Sequence, residues 1–136
     1  MRVIQVTEND LERLRDLIYM GRHGSEIDPN ALDSLNEELN EATIVPAEEV
    51  RRDVITIHSQ VRIRNLESGE EMVFTLVYPR AADLERGRIS VLSALGTALL
   101  GYRAGDVLEW RIPDGIRKLK IVEVEYQPET AGHFHL

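Results

Sequence analysis

Residues 89–106 read ISVLSALGTALLGYRAGD, and they combine a short strand, a short helix and a turn. The apolar, β-branched beginning predicts a strand over residues 89–91. Ser93 can accept hydrogen bonds from first-turn amides, which predicts that a helix begins directly after it. Gly101 readily adopts a left-handed backbone conformation and therefore predicts the end of that helix. One short helix between strands is typical of an α+β fold.

The segments on both sides of this stretch have the period of β-strands. Residues 107–112 and 119–126 alternate apolar and polar side chains around Pro113-Asp114-Gly115, which predicts a long hairpin. Upstream, β-branched or alternating runs predict three more strands, which cover residues 54–57, 61–64 and 72–77. The sequence thus predicts a mainly antiparallel sheet with one short helix packed on it and one face open to water.

A helix is predicted near the start of the chain. Thr7 can accept from first-turn amides, and the carboxylate of Asp10 suits the positive end of a helix dipole. Gly21 and Gly24 interrupt the apolar spacing, so we expect the helix to end near Met20. Its apolar stripe comprises Leu11, Leu14, Leu17 and Ile18.

A second helix is predicted after a short turn. Asp28 is placed as an N-cap with Pro29 at the first helical position, and Pro46 closes the region. The apolar stripe of this helix comprises Leu32, Leu35, Leu39 and Ala42. Because each stripe needs the other, we expect an antiparallel two-helix hairpin, a short coiled coil. We divide the chain into this hairpin over residues 1–48 and a β domain over residues 49–136.

The net charge of -8 is distributed unevenly. Residues 1–49 contain 4 Arg and 12 Asp or Glu, whereas residues 50–136 contain 12 Lys or Arg and 12 Asp or Glu. An acidic hairpin repels phosphate backbones, so we expect it not to bind nucleic acid directly, while a basic protein surface would attract it. Glu37, Glu38 and Glu41 lie on the outer side of the second helix. They are either a solvated face or part of this electrostatic steering.

Several functional classes are disfavoured by composition. The chain has no cysteine, which excludes disulfides, thiolate metal sites and thiol catalysis. No apolar run approaches the roughly 18 residues of a membrane span, so we expect a cytoplasmic protein without a membrane partner. His133 and His135 could bind a metal with Glu129, but a chain terminus offers no rigid frame. We therefore expect no metal, no cofactor and no catalytic residue.

Several segments resemble a known family. Residues 89–106, the Pro113-Asp114-Gly115 turn and residues 119–126 resemble the signature of the C-terminal domain of Gre transcription elongation factors, a domain that is FKBP-like. Three further segments resemble one branch of that family, the regulators of nucleoside diphosphate kinase. They are residues 75–79, 97–101 and 126–132.

This resemblance implies a partner and a role. Gre-type factors bind RNA polymerase at the rim of its secondary channel through the β domain, and their helical arm points into the channel. The resemblance therefore implies a non-catalytic regulator that binds RNA polymerase in competition with Gre-type factors and that regulates the level of nucleoside diphosphate kinase. We expect it to act as a monomer.

Two groups of candidate site residues follow from the resemblance. Gre factors present an Asp-Ser-Pro-like sequence to the polymerase, and the matching positions here are Leu92, Ser93 and Ala94, of which only the serine matches. Gre factors also carry acidic residues at the arm tip, where this chain offers Glu26 and Asp28. For Asp28, the alternative is a purely structural N-cap. For Glu26, it is a solvated loop residue.

Other functions remain open at the level of sequence. The chain could be a Gre-like stimulator of transcript cleavage, although two helices of about 20 Å make a short arm. It could instead bind nucleoside diphosphate kinase directly. An FKBP-like fold also raises the possibility of prolyl isomerase activity, which requires an aromatic-lined pocket. The aromatic content of 5% disfavours such a pocket.

Overall fold

The structure is a computed structural model that describes residues 4–24 and 27–133 of the chain. Its main elements in these residues are three α-helices and seven strands. The strands are β1 (Gln5–Thr7), β2 (Thr43–Val45), β3 (Gln60–Asn65), β4 (Glu71–Val77), β5 (Arg88–Ser90), β6 (Val107–Ile112) and β7 (Gly115–Tyr126). The helices are α1 (Glu8–Arg22), α2 (Pro29–Asn40) and α3 (Ala94–Leu99). This content confirms the predicted α+β class.

The three helices begin where their capping residues predict. Thr7 Oγ1 accepts from the Asp10 amide at 3.1 Å and starts α1. Asp28 Oδ1 accepts from the Asn30 amide at 2.9 Å and starts α2. Ser93 Oγ accepts from the Gly96 amide at 3.0 Å and starts α3. Each side chain satisfies an amide that has no partner within the first turn of its helix.

The predicted end of α1 near Met20 is two residues too early. Gly21 lies inside the helix and is buried, and a Cβ placed on it would be 3.0 Å from both methyl groups of Leu32. The missing side chain therefore allows α1 and α2 to approach each other, rather than ending the helix. The helix ends at Arg22, and the capping residue is His23.

Two short strands, which the sequence did not predict, tie the ends of the hairpin together. β1 precedes α1, β2 follows α2, and the two pair in parallel with Gln5 opposite Thr43. The start of α1 is therefore close to the end of α2, while Gly21 and Leu32 meet at the other end. This arrangement confirms that the helices run antiparallel.

The main sheet has five strands in the order β5-β4-β3-β7-β6. All neighbouring pairs are antiparallel except β4 and β5, which are parallel. The strand predicted over residues 89–91 is β5, and the predicted long hairpin is β6 with β7. The prediction of a mainly antiparallel sheet with one short helix is thus confirmed.

The strand predicted over residues 54–57 is wrong. The Ile55 amide donates to the Tyr102 carbonyl at 2.8 Å, whereas the Ile57 amide donates to Asp10 Oδ2 at 3.2 Å. His58 then adopts a positive φ of 72°. The run is apolar because it is buried between several elements, and its backbone groups pair with each of them instead of with one neighbouring strand.

One apolar core extends from the hairpin into the sheet. Leu35 and Leu39 of α2 belong to the same cluster of buried side chains as Ile63 and Leu119 of the sheet. A division of the chain after residue 48 into two units remains a prediction, and the two parts share this core.

Candidate functional site

The loop over residues 92–94, predicted as the polymerase-docking element, is held rigidly by Ser93. Its Oγ accepts from the Gly96 amide at 3.0 Å and donates to the Ser90 carbonyl at 2.7 Å. Ser93 and Ala94 are exposed and Leu92 is half-buried. The serine hydroxyl is thus used within the protein, while the apolar neighbours on either side present the surface that a partner could contact.

The hairpin tip contains the two acidic candidates. Asp28 is exposed, and its carboxylate caps α2 through the bond to the Asn30 amide. The structural role predicted for it is therefore confirmed, since one carboxylate oxygen is engaged. Glu26 lies outside the described residues.

A cleft of about 520 Å³ separates α2 from the 92–94 loop and α3. It brings together candidates that are far apart in sequence. The acidic side is formed by Asp28, Glu37 and Glu38, and the opposite side is formed mainly by Leu92, Ala94, Thr97 and Ala98. Ser93 is not among the residues that line it. The outer face of α2 and the predicted docking loop therefore form one continuous surface, which sequence spacing could not reveal.

A second, larger cleft of about 1040 Å³ lies along the other side of the hairpin. Gly24 and Ile27 near the tip line it together with Pro79 and Arg80 from the segment after β4. The tip thus has the β domain next to it on both sides. Within the described residues, the hairpin lies along the β domain.

A polar cluster of buried and half-buried residues, here called the junction cluster, joins α1 to the β domain. Asp10 is 3% exposed, and its Oδ2 accepts from the Ile57 amide at 3.2 Å. Glu129 Oε1 accepts from Thr56 Oγ1 at 2.7 Å. The members of the cluster are Asp10, Arg13, Thr56, Ile57, His58, Ser59, Tyr78 and Glu129.

Burial raises the pKa of the Asp10 carboxyl from 3.8 to about 7, and the charge of Glu129 adds to this rise. The Ile57 amide, the Arg13 guanidinium and the Thr7 side chain oppose it by favouring the ionised form. Desolvation outweighs these favourable contacts because the carboxylate loses most of its water. Asp10 therefore changes its charge near neutral pH.

Two other titratable groups of the junction cluster, His58 and Tyr78, also favour their neutral forms. Burial lowers the pKa of His58, and the nearby Arg13 acts in the same direction. Burial raises the pKa of Tyr78, and the charge of Asp10 adds to this rise. The ring of His58 packs edge-on against Tyr78, with centroids 5.6 Å apart. The environment thus disfavours additional charge.

Sequence reasoning missed the junction cluster because its members are far apart along the chain. Asp10 was interpreted only as a first-turn acid that suits the helix dipole, and Glu129 only as a possible metal ligand. The one available signal was the position of Asp10 three residues after Thr7, where a capping-box side chain usually bonds back to the capping residue. Here the carboxylate accepts from the Ile57 amide, across the junction, in addition to its bond with the Thr7 side chain.

The histidines near the C-terminus do not form a metal site within the described residues. His133 Nδ1 lies 2.7 Å from the Tyr126 hydroxyl, Glu129 is bonded to Thr56, and His135 lies outside the described residues. Across residues 4–24 and 27–133, no group of three or more potential metal-binding side chains comes together. In the same part of the chain, no helix has the length and apolar composition needed to cross a bilayer.

Two family models match the chain on either side of the hairpin's end. The model described as "Transcription elongation factor, GreA/GreB, C-term" matches residues 48–126. The model described as "Rnk N-terminus" matches residues 2–45. The first match alone covers more than half of the chain.

Curated relatives agree with these matches. The chain is 45% identical over 105 residues to the regulator of nucleoside diphosphate kinase of Escherichia coli K12, covering 76% of this chain and 77% of that protein. It is 33% identical over 93 residues to transcription elongation factor GreA of Christiangramia forsetii. That match covers 68% of this chain and 59% of the relative.

Two solved structures share the fold over most of this chain. A GreA/GreB elongation factor of Nitrosomonas europaea superposes with a TM-score of 0.76 at 38% identity, covering 93% of this chain and 100% of that chain. GreA factor homolog 1 of Thermus thermophilus gives a TM-score of 0.51 at 27% identity, covering 92% and 100%. The chain therefore belongs to the GreA/GreB family of transcription factors, and within it to the branch that carries the N-terminus of regulators of nucleoside diphosphate kinase.

Proposed function

We propose that this protein is a non-catalytic transcription regulator that binds RNA polymerase near its secondary channel. The observation that carries the proposal is the cleft in which Leu92 and Ala94 face Glu37 and Glu38 of α2. A surface that combines an apolar edge with carboxylates suits a partner segment that pairs an apolar side chain with Arg or Lys. Membership of the GreA/GreB family supports the choice of polymerase as that partner.

The proposal also covers the location of the protein, its oligomeric state and the form of its two parts. We place the protein in the cytoplasm as a monomer, in competition with longer Gre-type factors for one docking surface. We also propose that its β domain is FKBP-like and that its hairpin is a short coiled coil. Because α2 carries the acidic side of the cleft, the hairpin would contribute to docking with its side rather than only with its tip.

Binding to purified RNA polymerase tests this function. We expect a complex at micromolar protein and low salt, weakening as ionic strength rises because exposed charges are screened. Combining Glu37→Lys with Glu38→Lys should weaken the complex by about tenfold or more. A matched control combines Glu67→Lys with Glu70→Lys in the loop between β3 and β4, where both glutamates are exposed.

Two outcomes would contradict the proposed docking surface. One is the absence of any complex under these conditions. The other is an equal loss of affinity in the two charge-reversed proteins, which would indicate dependence on net charge rather than on the cleft. Competition with GreA for the polymerase should follow the same order of affinities as direct binding.

Stimulation of transcript cleavage is a second candidate, favoured by the likeness to GreA. It requires a carboxylate that is available at the tip, whereas Asp28 is engaged as a cap. We expect no cleavage of backtracked transcripts above the polymerase's own rate. Stimulated cleavage that is lost in Glu26→Gln would favour this candidate instead.

Regulation of nucleoside diphosphate kinase is the remaining part of the proposal, and the name of the Escherichia coli relative supports it. We propose that the effect is on the level of the kinase, through transcription. A direct contact is the alternative. If the effect is on transcription, purified kinase mixed with this protein should show no complex in size-exclusion chromatography, whereas deletion of the gene for this protein should change kinase abundance. A complex of the two purified proteins would favour direct contact.

A further inference from the structure

The junction cluster has no part in the proposed docking surface, and it contains two carboxyls from distant parts of the chain. Asp10 lies in α1, and Glu129 lies in the segment after β7. Their bonding partners, Ile57 and Thr56, are adjacent residues. The backbone at this point therefore draws the two carboxyls toward one another, across the boundary between the hairpin and the β domain.

We propose that the Asp10 and Glu129 carboxyls form a proton-dependent latch, which holds α1 to the β domain tightly when the pair carries one proton and loosens when both are ionised. The latch is separate from docking to polymerase and does not depend on it. It is a local change in the contacts of α1, with the apolar core left in place.

Repulsion between the two carboxylates provides the physical basis of the latch. Asp10 is 3% exposed, so little water screens a second negative charge beside it. A protonated Asp10 can keep its bond from the Ile57 amide, because its carbonyl oxygen still accepts. An ionised Asp10 must tolerate both the loss of water and the charge of Glu129.

Other charged and titratable groups surround the pair. Arg13, one turn further along α1, favours the ionised form of Asp10 and so moderates the latch. Tyr78 after β4 and His58 beside Ile57 complete the cluster, and burial favours the neutral form of each. Arg13 is thus the cation that acts on Asp10, and its effect on the pKa of Asp10 does not outweigh burial.

The direction of the pH effect follows from the raised pKa of Asp10. The folded protein holds this proton up to about pH 7, whereas the unfolded chain releases it near 3.8. Folding is therefore favoured most at low pH by this group, and its contribution declines as the pH rises through that window. The lowered pKa of His58 has the opposite effect, so comparison with an Asp10 variant is needed to isolate the latch.

A titration by carbon-13 NMR tests the latch directly in the full chain. We expect the Asp10 carboxyl to titrate near pH 7 and the Ile57 amide shift to follow with the same midpoint. We also expect the unfolding constant of the wild type, relative to Asp10→Asn, to rise by about three-hundredfold between pH 4 and pH 7. Asp16→Asn, on an exposed position of the same helix, should follow the wild-type curve.

Glu129→Gln distinguishes the effect of the Glu129 charge on the pKa of Asp10 from the effect of burial. It retains an oxygen that can accept from Thr56 but removes the neighbouring charge, so the midpoint of Asp10 should fall. An Asp10 midpoint near 4 in the wild type would overturn the latch, and so would a midpoint that Glu129→Gln leaves unchanged. Both measurements remain possible if Asp10→Asn does not fold.

Discussion

The hairpin carries two acidic regions that differ in their surroundings. Asp10 on α1 is buried and bonded to the β domain, whereas Glu37 on the outer face of α2 is exposed beside the 520 Å³ cleft. An exposed carboxylate interacts through a high dielectric and contributes little to stability, but it can attract a basic partner. A buried carboxylate instead changes its pKa and couples folding to pH.

The same contrast applies to the two faces of α2. Its inner face carries Leu35, which is fully buried, and its outer face carries the glutamates of the cleft. We therefore expect inner-face substitutions to alter stability and outer-face substitutions to alter binding. Each of the following changes could break or sharpen this separation.

The largest effect is expected from Leu35→Ala. It should lower the free energy of unfolding by about 3 to 4 kcal/mol, because it removes buried methyl groups and leaves a cavity in the core. Glu37→Ala, two residues away on the outer face, should change it by less than about 0.5 kcal/mol. Urea unfolding of both variants measures the difference. Equal losses would show that the outer face is part of the structural core.

A somewhat smaller loss is expected from Gly101→Ala, which tests the apolar side of the junction. Gly101 has a φ of 80°, and an added Cβ would lie 2.4 Å from Ile4 Cβ. We expect a loss of about 2 to 3 kcal/mol from overpacking and backbone strain together. Gly105→Ala is the matched control, since φ is 93° and nothing lies within 4 Å of the added carbon.

The control should lose about 1 kcal/mol, from the strained backbone alone. Thermal unfolding of the two proteins gives the comparison. If both lose the same amount, the close contact between Ile4 and Gly101 does not contribute to joining the hairpin to the β domain.

Asp28→Ala should have an intermediate effect, a loss of about 1 kcal/mol through removal of the N-cap of α2. Asp28→Asn keeps a side chain that can accept from the Asn30 amide and should retain most of the stability. The pair of variants separates capping from charge at the edge of the cleft. If Asp28→Asn weakens polymerase binding at unchanged stability, Asp28 has both roles.

The smallest effect is expected at the exposed ion pair between Arg22 and Asp33, in which Arg22 Nη2 lies 2.7 Å from Asp33 Oδ1. Asp33→Asn should lower the free energy of unfolding by about 0.5 kcal/mol or less, and the difference should shrink at high salt. Chemical denaturation at two salt concentrations measures it. A loss that persists at high salt would mean that this exposed pair behaves like a buried one.

Local patterns predicted the elements that depend on interactions between residues close in sequence. The capping residues Thr7, Asp28 and Ser93 begin the three helices because a side-chain oxygen needs only the next turn to act. The alternation around Pro113-Asp114-Gly115 predicted the β6–β7 hairpin for the same reason. Local patterns failed at residues 54–57. This segment is apolar because several elements bury it, and its composition therefore resembles that of a strand.

The candidate site was only partly visible in the sequence. Leu92, Ser93 and Ala94 were found through resemblance, and the acidity of α2 was found through charge counting. That Glu37 and Glu38 share a cleft with Leu92 and Ala94 depends on how α2 packs beside α3. Gly21 shows the same limit, since its role depends on Leu32, eleven residues later.

The sequence by itself determined the α+β class, the starts of the helices and the acidic character of the hairpin, because these depend on local hydrogen bonding, periodicity and charge. Only the tertiary structure decided which carboxylates are exposed and which are buried. Packing of α1 against residues 56–58 removes water from Asp10 and places Glu129 nearby. Desolvation and neighbouring charge are properties of the folded arrangement, so no local pattern could assign them.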